Sequence, residues 1–152
     1  MQILRKAFVA FVLCLFASAA LAAGDYGTPA EAKAMLEKAV AALKADKAKA
    51  LAEFTAGTGG FKDRDLYPFC GGPDGNFTAH PKLVGQSMRN LMDKSTPPIA
   101  IGEEFYKNAQ EGKFSEVTYM WPRPGDPEAK PVQKVVFITK VGDQVCGVGY
   151  YK

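Results

Sequence analysis

The chain has 152 residues, 47% of them hydrophobic, with 19 Lys and Arg side chains against 16 Asp and Glu. Arg5 and Lys6 carry part of the positive charge, so the rest of the chain is almost neutral overall. A nucleic-acid-binding surface needs a basic excess on one face, and this balance argues against nucleic-acid partners. The length fits a single domain.

The first 22 residues have the three-part pattern of a secretory signal peptide. Arg5 and Lys6 form a positive start, residues 7–15 are apolar, and Ala20-Leu21-Ala22 offers small residues to a signal peptidase. We therefore expect cleavage after this triplet, leaving residues 23–152 as one domain in the periplasm or outside the cell. The alternative is an uncleaved segment that tethers the chain to a membrane, although the apolar run is short for a span of about 20 residues.

A long helix is predicted over residues 28–54. Thr28 can cap it, Pro29 suits the first helical position, and Glu31 completes a capping box. A helix of about 26 residues would be roughly 39 Å long, and Gly57 ends it. One apolar stripe faces the core, and its members are Leu36, Val40, Leu43, Leu51 and Phe54.

Strand patterns dominate the remainder of the chain. Strands are predicted at residues 66–70, 77–79, 115–121, 132–141 and 144–151, and a short helix at 102–112. Gly142-Asp143 suits a type II′ turn between the last two strands. Because the strands follow one another without crossover helices, we expect an antiparallel sheet. The predicted fold class is α+β, with the long N-terminal helix packed on one face of a five- to six-stranded antiparallel sheet.

Aromatic and cationic side chains near two of the strands are the candidate ligand-binding residues. Tyr119 and Trp121 are two residues apart and therefore share a face, which suits the wall of a small-molecule pocket; core packing is the alternative. Lys134 interrupts an apolar strand, and Arg123 lies between two prolines. Either cation could hold a carboxylate; the alternatives are a strand-edge lysine and a solvated loop arginine.

The sequence contains no pattern typical of an enzyme active site. His80 is the only histidine, and a structural hydrogen bond is its more common role than catalysis. No serine lies in a G-x-S-x-G motif, and no C-x-x-C pair indicates zinc or a c-type haem. We therefore predict a protein that is not an enzyme and that binds neither a cofactor nor a metal.

The order of elements and several local motifs resemble the single-Cache family of extracytoplasmic sensor domains, whose sheet is PAS-like. Leu66-Tyr67, Asp74-Gly75 and Ala79-His80-Pro81 resemble the first hairpin of the family and the turn after it. Residues 105–122 resemble its helix and third strand, and Gly147-Val148-Gly149-Tyr150 resembles its closing strand. The resemblance covers nearly all of residues 23–152.

The resemblance implies a pocket for a small polar metabolite, such as an organic acid or amino acid, between the sheet and the segments that cover it. It adds Tyr67 to Tyr119, Trp121, Lys134 and Arg123 as candidate ligand-binding residues. A sensor role in signal transduction follows. Many relatives continue into a membrane helix after the last strand, whereas this sequence ends at Lys152, so we expect a separate membrane receptor as the partner. The alternatives are a ligand-free interaction module that docks on a receptor, and a small-molecule enzyme on the same fold.

The resemblance also bears on the two cysteines outside the predicted signal peptide. Cys70 and Cys146 both lie on predicted strands, and the first and last strands of this kind of sheet lie near each other. An extracytoplasmic compartment is oxidising. We therefore predict a Cys70–Cys146 disulfide, with two separate buried thiols as the alternative.

Overall fold

The structure is a computed structural model that describes residues 24–125 and 128–152. The predicted signal peptide, residues 1–22, lies outside the described residues. Within them the elements are, in chain order, α1 (Pro29–Ala45), α2 (Lys47–Ala56), β1 (Pro68–Gly71), β2 (Phe77–Ala79), α3 (Ile101–Asn108), β3 (Ser115–Trp121), β4 (Val132–Val141) and β5 (Gln144–Tyr151). No helix in this described part of the chain is long and apolar enough to cross a membrane.

The five strands form one antiparallel sheet in the order β2-β1-β5-β4-β3. This confirms the predicted α+β fold class and the antiparallel sheet. The closing strand β5 is central, and every residue in it is buried. Gly142 has a φ of 59° and Asp143 has no positive φ, which agrees with the predicted type II′ turn.

The predicted capping box of α1 is confirmed. The Thr28 hydroxyl accepts a hydrogen bond from the Glu31 N–H at 3.2 Å, and the Glu31 carboxylate accepts one from the Thr28 N–H at 2.8 Å. Gly57 ends α2 in the left-handed conformation. This conformation is costly for residues with a Cβ, which is why the glycine marks the end of the helical segment.

The prediction of one continuous helix is wrong, because the chain breaks at Asp46. Asp46 has an extended backbone that ends α1, and its carboxylate accepts a hydrogen bond from the Lys49 N–H at 3.0 Å to begin α2. A short polar side chain can cap a helix in place of continuing it. After the break, both helices pack on the same face of the sheet.

Two other predicted boundaries also differ. The first strand begins at Pro68 instead of residue 66, because Asp63 and Leu66 exchange backbone hydrogen bonds across a tight turn at Arg64. The third helix covers Ile101–Asn108 and not 102–112, since the chain becomes extended at its C-cap.

The two faces of the sheet bury separate cores. Helices α1 and α2 cover one face, and their core includes Leu36, Leu43, Phe54, Leu66, Val135, Val148 and Tyr150. Helix α3 and the chain before it cover the other face, with a core that includes Phe69, Phe77, Met88, Ile101, Phe105, Val136 and Ile138. Strands β1, β4 and β5 therefore contribute residues to both cores, because neighbouring side chains along a strand point to opposite faces.

The predicted Cys70–Cys146 disulfide is present. The two residues lie directly opposite each other on β1 and β5, with their Cα atoms 4.1 Å apart. Both are fully buried in the core under α1 and α2. The bridge therefore fastens the central strand to its neighbour on the side away from α3.

Candidate ligand-binding site

A narrow cavity lies on the α3 side of the sheet, with a volume of about 20 Å³. A single water molecule needs about 10–15 Å³ on the same scale, so the cavity fits only very small groups without movement of its walls. It is lined by Tyr67, Phe69, Phe77, His80, Leu83, Leu91, Phe105, Tyr119, Trp121 and Lys134. Four of the five candidate residues from the sequence are in this set, and Arg123 is not.

Tyr119 and Trp121 form one aromatic wall of the cavity, on the shared strand face that their spacing predicts. Their ring centroids are 6.1 Å apart in an edge-to-face arrangement, and Phe105 of α3 packs 5.7 Å from Tyr119. Burial raises the pKa of Tyr119 well above its usual value. Its hydroxyl is therefore neutral and able to donate a hydrogen bond.

Lys134 lies near the start of β4, on the cavity-facing side of the sheet and between two tyrosines. The strand register places it opposite Tyr119 on β3 and opposite Tyr151 on β5. Its ammonium is 3.4 Å from the Tyr67 hydroxyl and lies over the Tyr67 and Tyr151 rings, 5.0 and 4.9 Å from their centroids. The side chain is thus buried, with 3% of the residue exposed, and is not a strand-edge lysine.

The ammonium of Lys134 contacts tyrosine side chains. Burial, the largest effect, lowers the pKa of Lys134, and the nearby phenol groups of Tyr119, Tyr67 and Tyr151 oppose this shift. No Asp or Glu within 24–125 and 128–152 forms a salt bridge with Lys134. A buried ammonium without a carboxylate partner is costly, so an anion in the cavity would complete this site.

Gly149 provides the space that Lys134 occupies. A Cβ at this position would lie 2.5 Å from Cε of Lys134 and 2.8 Å from Cγ2 of Val136. From the sequence, Gly149 was identified only as part of the closing strand, and its role beside Lys134 was not predicted. The signal was present in the alternation of β5, which places Gly147 and Gly149 on the same face as Tyr151.

His80 also lines the cavity, which the sequence analysis did not predict. Its Nδ1 accepts a hydrogen bond from the Lys82 N–H at 3.0 Å, which confirms a structural role and leaves the ring proton on Nε2. Burial, followed by the positive charges of Lys134 and Lys82, lowers the pKa of His80 to about 4. His80 is therefore a neutral hydrogen-bond donor near pH 7, packed 5.4 Å from the Tyr67 ring.

Arg123 lies behind the cavity wall. Its guanidinium is 3.4 Å from the Asp65 carboxylate and stacks over the rings of Tyr26 and Tyr151, 3.9 and 4.9 Å from their centroids. It is therefore neither a solvated loop cation nor part of the lining. Arg123 and Lys134 both lie over the Tyr151 ring, and of the two only the lysine lines the cavity.

These groups can bind an anion but show no arrangement for acid–base catalysis. The polar groups on the cavity are an ammonium, phenol hydroxyls and a neutral imidazole, all of which can donate hydrogen bonds. In the part of the chain that the structure describes, no Asp or Glu lines the cavity, and no cluster of His, Cys, Asp and Glu is placed to hold a metal ion. An arrangement of donors around one cation suits a small carboxylate.

The fold is similar to that of several solved structures. The chain is 23% identical to a methyl-accepting chemotaxis protein from Vibrio parahaemolyticus RIMD 2210633, with a TM-score of 0.61, covering 80% of this chain and 86% of that one. It is 22% identical to the periplasmic sensor domain of a chemotaxis protein, with a TM-score of 0.57, covering 78% and 86%.

A third solved structure is a Cache chemosensory domain studied for its recognition of carboxylic acids. Its identity is 22% and its TM-score 0.55, with 78% of this chain and 84% of that one covered. No protein-family profile and no curated protein sequence matches the chain. The structural likeness confirms the predicted fold, in which helices pack on an antiparallel sheet like that of a Cache domain.

Proposed function

We propose that this protein is an extracytoplasmic sensor module that binds a small carboxylate at Lys134. One observation carries the proposal: the ammonium of Lys134 is buried among neutral aromatic groups and has no carboxylate partner in residues 24–125 and 128–152. A ligand carboxylate would supply the missing charge. Tyr67, Tyr119 and His80 would donate hydrogen bonds to it, and Trp121 would cover its apolar part.

The periplasm is the proposed location. The pattern in residues 1–22 predicts export and cleavage, and the Cys70–Cys146 disulfide fits an oxidising compartment. Two of the structurally similar proteins are a periplasmic sensor domain and a chemotaxis protein, which supports the same location. An uncleaved N-terminal segment that tethers the domain to the membrane is the alternative.

The bound state would be presented to a partner in the membrane. Two of the structurally similar proteins are named as chemotaxis proteins, and a receptor in the membrane is therefore the kind of partner proposed here. Arg123 would link the ligand to the protein surface. It stacks on Tyr151, which contacts Lys134, and on the half-exposed Tyr26.

A thermal-shift screen of the periplasmic protein tests the proposal. A ligand at a hundredfold excess over Kd raises the unfolding free energy by about 2.7 kcal/mol, so small carboxylates should raise Tm, whereas amines and alcohols of the same carbon number should not. Lys134→Met should abolish the shift. Lys140→Met, an exposed lysine on the same strand, is the control that should retain it.

The second candidate function is a ligand-free interaction module. The small cavity volume favours it, because a ligand must displace wall side chains to enter. If no carboxylate shifts Tm and the parent and Lys134→Met behave alike, the interaction module replaces the sensor as the preferred function.

A further inference from the structure

Asp93 is a buried carboxylate that does not line the cavity. Only 3% of the residue is exposed, yet no cation pairs with it in residues 24–125 and 128–152. Its Oδ1 accepts hydrogen bonds from the N–H and hydroxyl of Ser95 at 3.1 and 2.6 Å, and from the Ile99 N–H at 2.7 Å. Its Oδ2 accepts one from the Met120 N–H at 3.1 Å.

The bond to Met120 joins the covering segment, residues 88–100, to the edge of the sheet. Strand β3 is an edge strand, and Met120 lies between the cavity residues Tyr119 and Trp121. Its carbonyl accepts a hydrogen bond from the Lys94 N–H at 3.0 Å, so both of its backbone groups are held by consecutive residues of the segment. The ammonium of Lys94 also lies 5.4 Å from the centre of the Trp121 ring.

The bond to Ile99 joins the same carboxylate to the start of α3. The Asp93 N–H donates to the Ile99 carbonyl at 2.9 Å, and the Ile101 N–H donates to the same carbonyl at 2.9 Å. Helix α3 begins at Ile101 and carries Phe105 into the cavity. The Gly102 N–H in turn donates to the Leu91 carbonyl at 3.0 Å. Three elements that supply cavity walls therefore meet at Asp93.

We propose that Asp93 is a positioning residue that fixes the width of the cavity by holding Leu91, Phe105 and Trp121 in one arrangement. This inference rests on the proposed function, and it assigns to Asp93 the selection of ligands by size. A carboxylate suits this task, since two oxygens can accept hydrogen bonds from several directions at once. Neither of its oxygens touches the space a ligand would occupy.

Asp93→Asn keeps the volume of the side chain but distinguishes the hydrogen bonds to Oδ1, from Ser95 and Ile99, from the one to Oδ2, from Met120. The amide oxygen can replace Oδ1, which accepts three hydrogen bonds, but the NH₂ group then faces the Met120 N–H and cannot accept from it. The segment and α3 stay joined, whereas the bond to β3 is lost. Asp74→Asn is the matched control, because Asp74 is a turn carboxylate that accepts from the N–H and side-chain amide of Asn76.

Trp121 is the only tryptophan, so its fluorescence reports the cavity wall in the protein without ligand. We expect Asp93→Asn to shift its emission to the red and to increase its quenching by acrylamide, and Asp74→Asn to leave both unchanged. Ser95→Ala removes the hydrogen bond from the Ser95 hydroxyl to Oδ1 of Asp93. It should change the emission and quenching of Trp121 less than Asp93→Asn does. Unchanged emission and quenching in Asp93→Asn would overturn the proposal.

Binding of straight-chain monocarboxylates from formate to hexanoate tests the size selection. In the parent protein, affinity should fall steeply once the acid exceeds a certain number of carbons. In Asp93→Asn, affinity should depend less on the number of carbons, and the acid that the parent binds best should bind about tenfold more weakly. If Asp93→Asn alters the quenching of Trp121 but keeps the same steep fall in affinity with acid length, Asp93 does not select ligands by size. If the parent binds none of these acids, the proposed function fails, and the role of Asp93 is decided by the Trp121 quenching.

Discussion

The ammonium of Lys134 and the hydroxyl of Tyr67 lie 3.4 Å apart, and both face the cavity between the sheet and its cover. Lys134 comes from β4, and Tyr67 precedes β1, two strands away in the sheet. The contact therefore depends on the central strand β5, where Gly149 has no side chain to separate them.

Replacing Lys134 should abolish carboxylate binding but change the stability of the ligand-free protein little. Lys134→Met removes the cost of burying the charge but also loses cation–π contacts of about 2 kcal/mol, so the unfolding free energy should change by less than about 1 kcal/mol. The stabilisation by carboxylates should disappear. Urea unfolding with and without the ligand measures both quantities. A large loss of stability without ligand would show that Lys134 is mainly structural.

Adding one methyl group at Gly149 should affect the site more than the fold. In Gly149→Ala the new Cβ overlaps Cε of Lys134 and Cγ2 of Val136, and such overpacking costs about 1–3 kcal/mol. Displacement of the ammonium should weaken carboxylate binding strongly, as titration calorimetry would show. Gly24→Ala is the control, because its Cβ would come no closer than 4.0 Å to another atom. Full binding by Gly149→Ala would argue against the assigned role of the glycine.

The disulfide should contribute substantially to stability. Cys70 and Cys146 are 76 residues apart, and the loop-entropy relation gives roughly 4.5 kcal/mol as an upper value for such a loop. The double variant Cys70→Ala/Cys146→Ala should therefore unfold at a clearly lower urea concentration. Thiol counting on the denatured, non-reduced periplasmic protein checks the bridge itself. Two reactive thiols in the cleaved protein would contradict it.

Acidification should destabilise the protein through His80. Its pKa is about 4 when folded and about 6.5 when unfolded, so the unfolded chain binds more protons between these values and stability falls as pH decreases from about 6.5 to 4. In His80→Gln, Tm should change less with pH over this range than it does in the parent protein. The Asp93 carboxylate, with a pKa lowered to about 2 by hydrogen bonds that outweigh burial, should lose its contribution only below about pH 4. An equal pH dependence in parent and variant would exclude His80 as the cause.

Export should remove the first 22 residues. The Ala20-Leu21-Ala22 pattern predicts a new N-terminus at Ala23, and intact-mass measurement of protein released by osmotic shock reads it directly. Changing Ala20 to Lys should block cleavage, because the −3 position requires a small residue. Recovery of the full-length parent chain in the membrane fraction would instead support the tether.

Local rules of the sequence predicted most of the elements correctly. Strands β4 and β5, the capping box at Thr28 and the helix end at Gly57 were all correct, because capping, turn chemistry and period-two alternation act between residues that are close in the chain. The same rules failed at Asp46. There a capping residue and a continuing helix were both locally acceptable, and packing on the sheet selected the break.

The sequence by itself determined which side chains could bind an anion, and the tertiary structure decided which of them meet. Spacing along β3 was sufficient to place Tyr119 and Trp121 on one face. The choice between Lys134 and Arg123 required the strand register, which sets Lys134 between Tyr119 and Tyr151 and turns Arg123 to Asp65. Register and long-range contacts join residues far apart in the chain, and their energies depend on packing that no local pattern encodes.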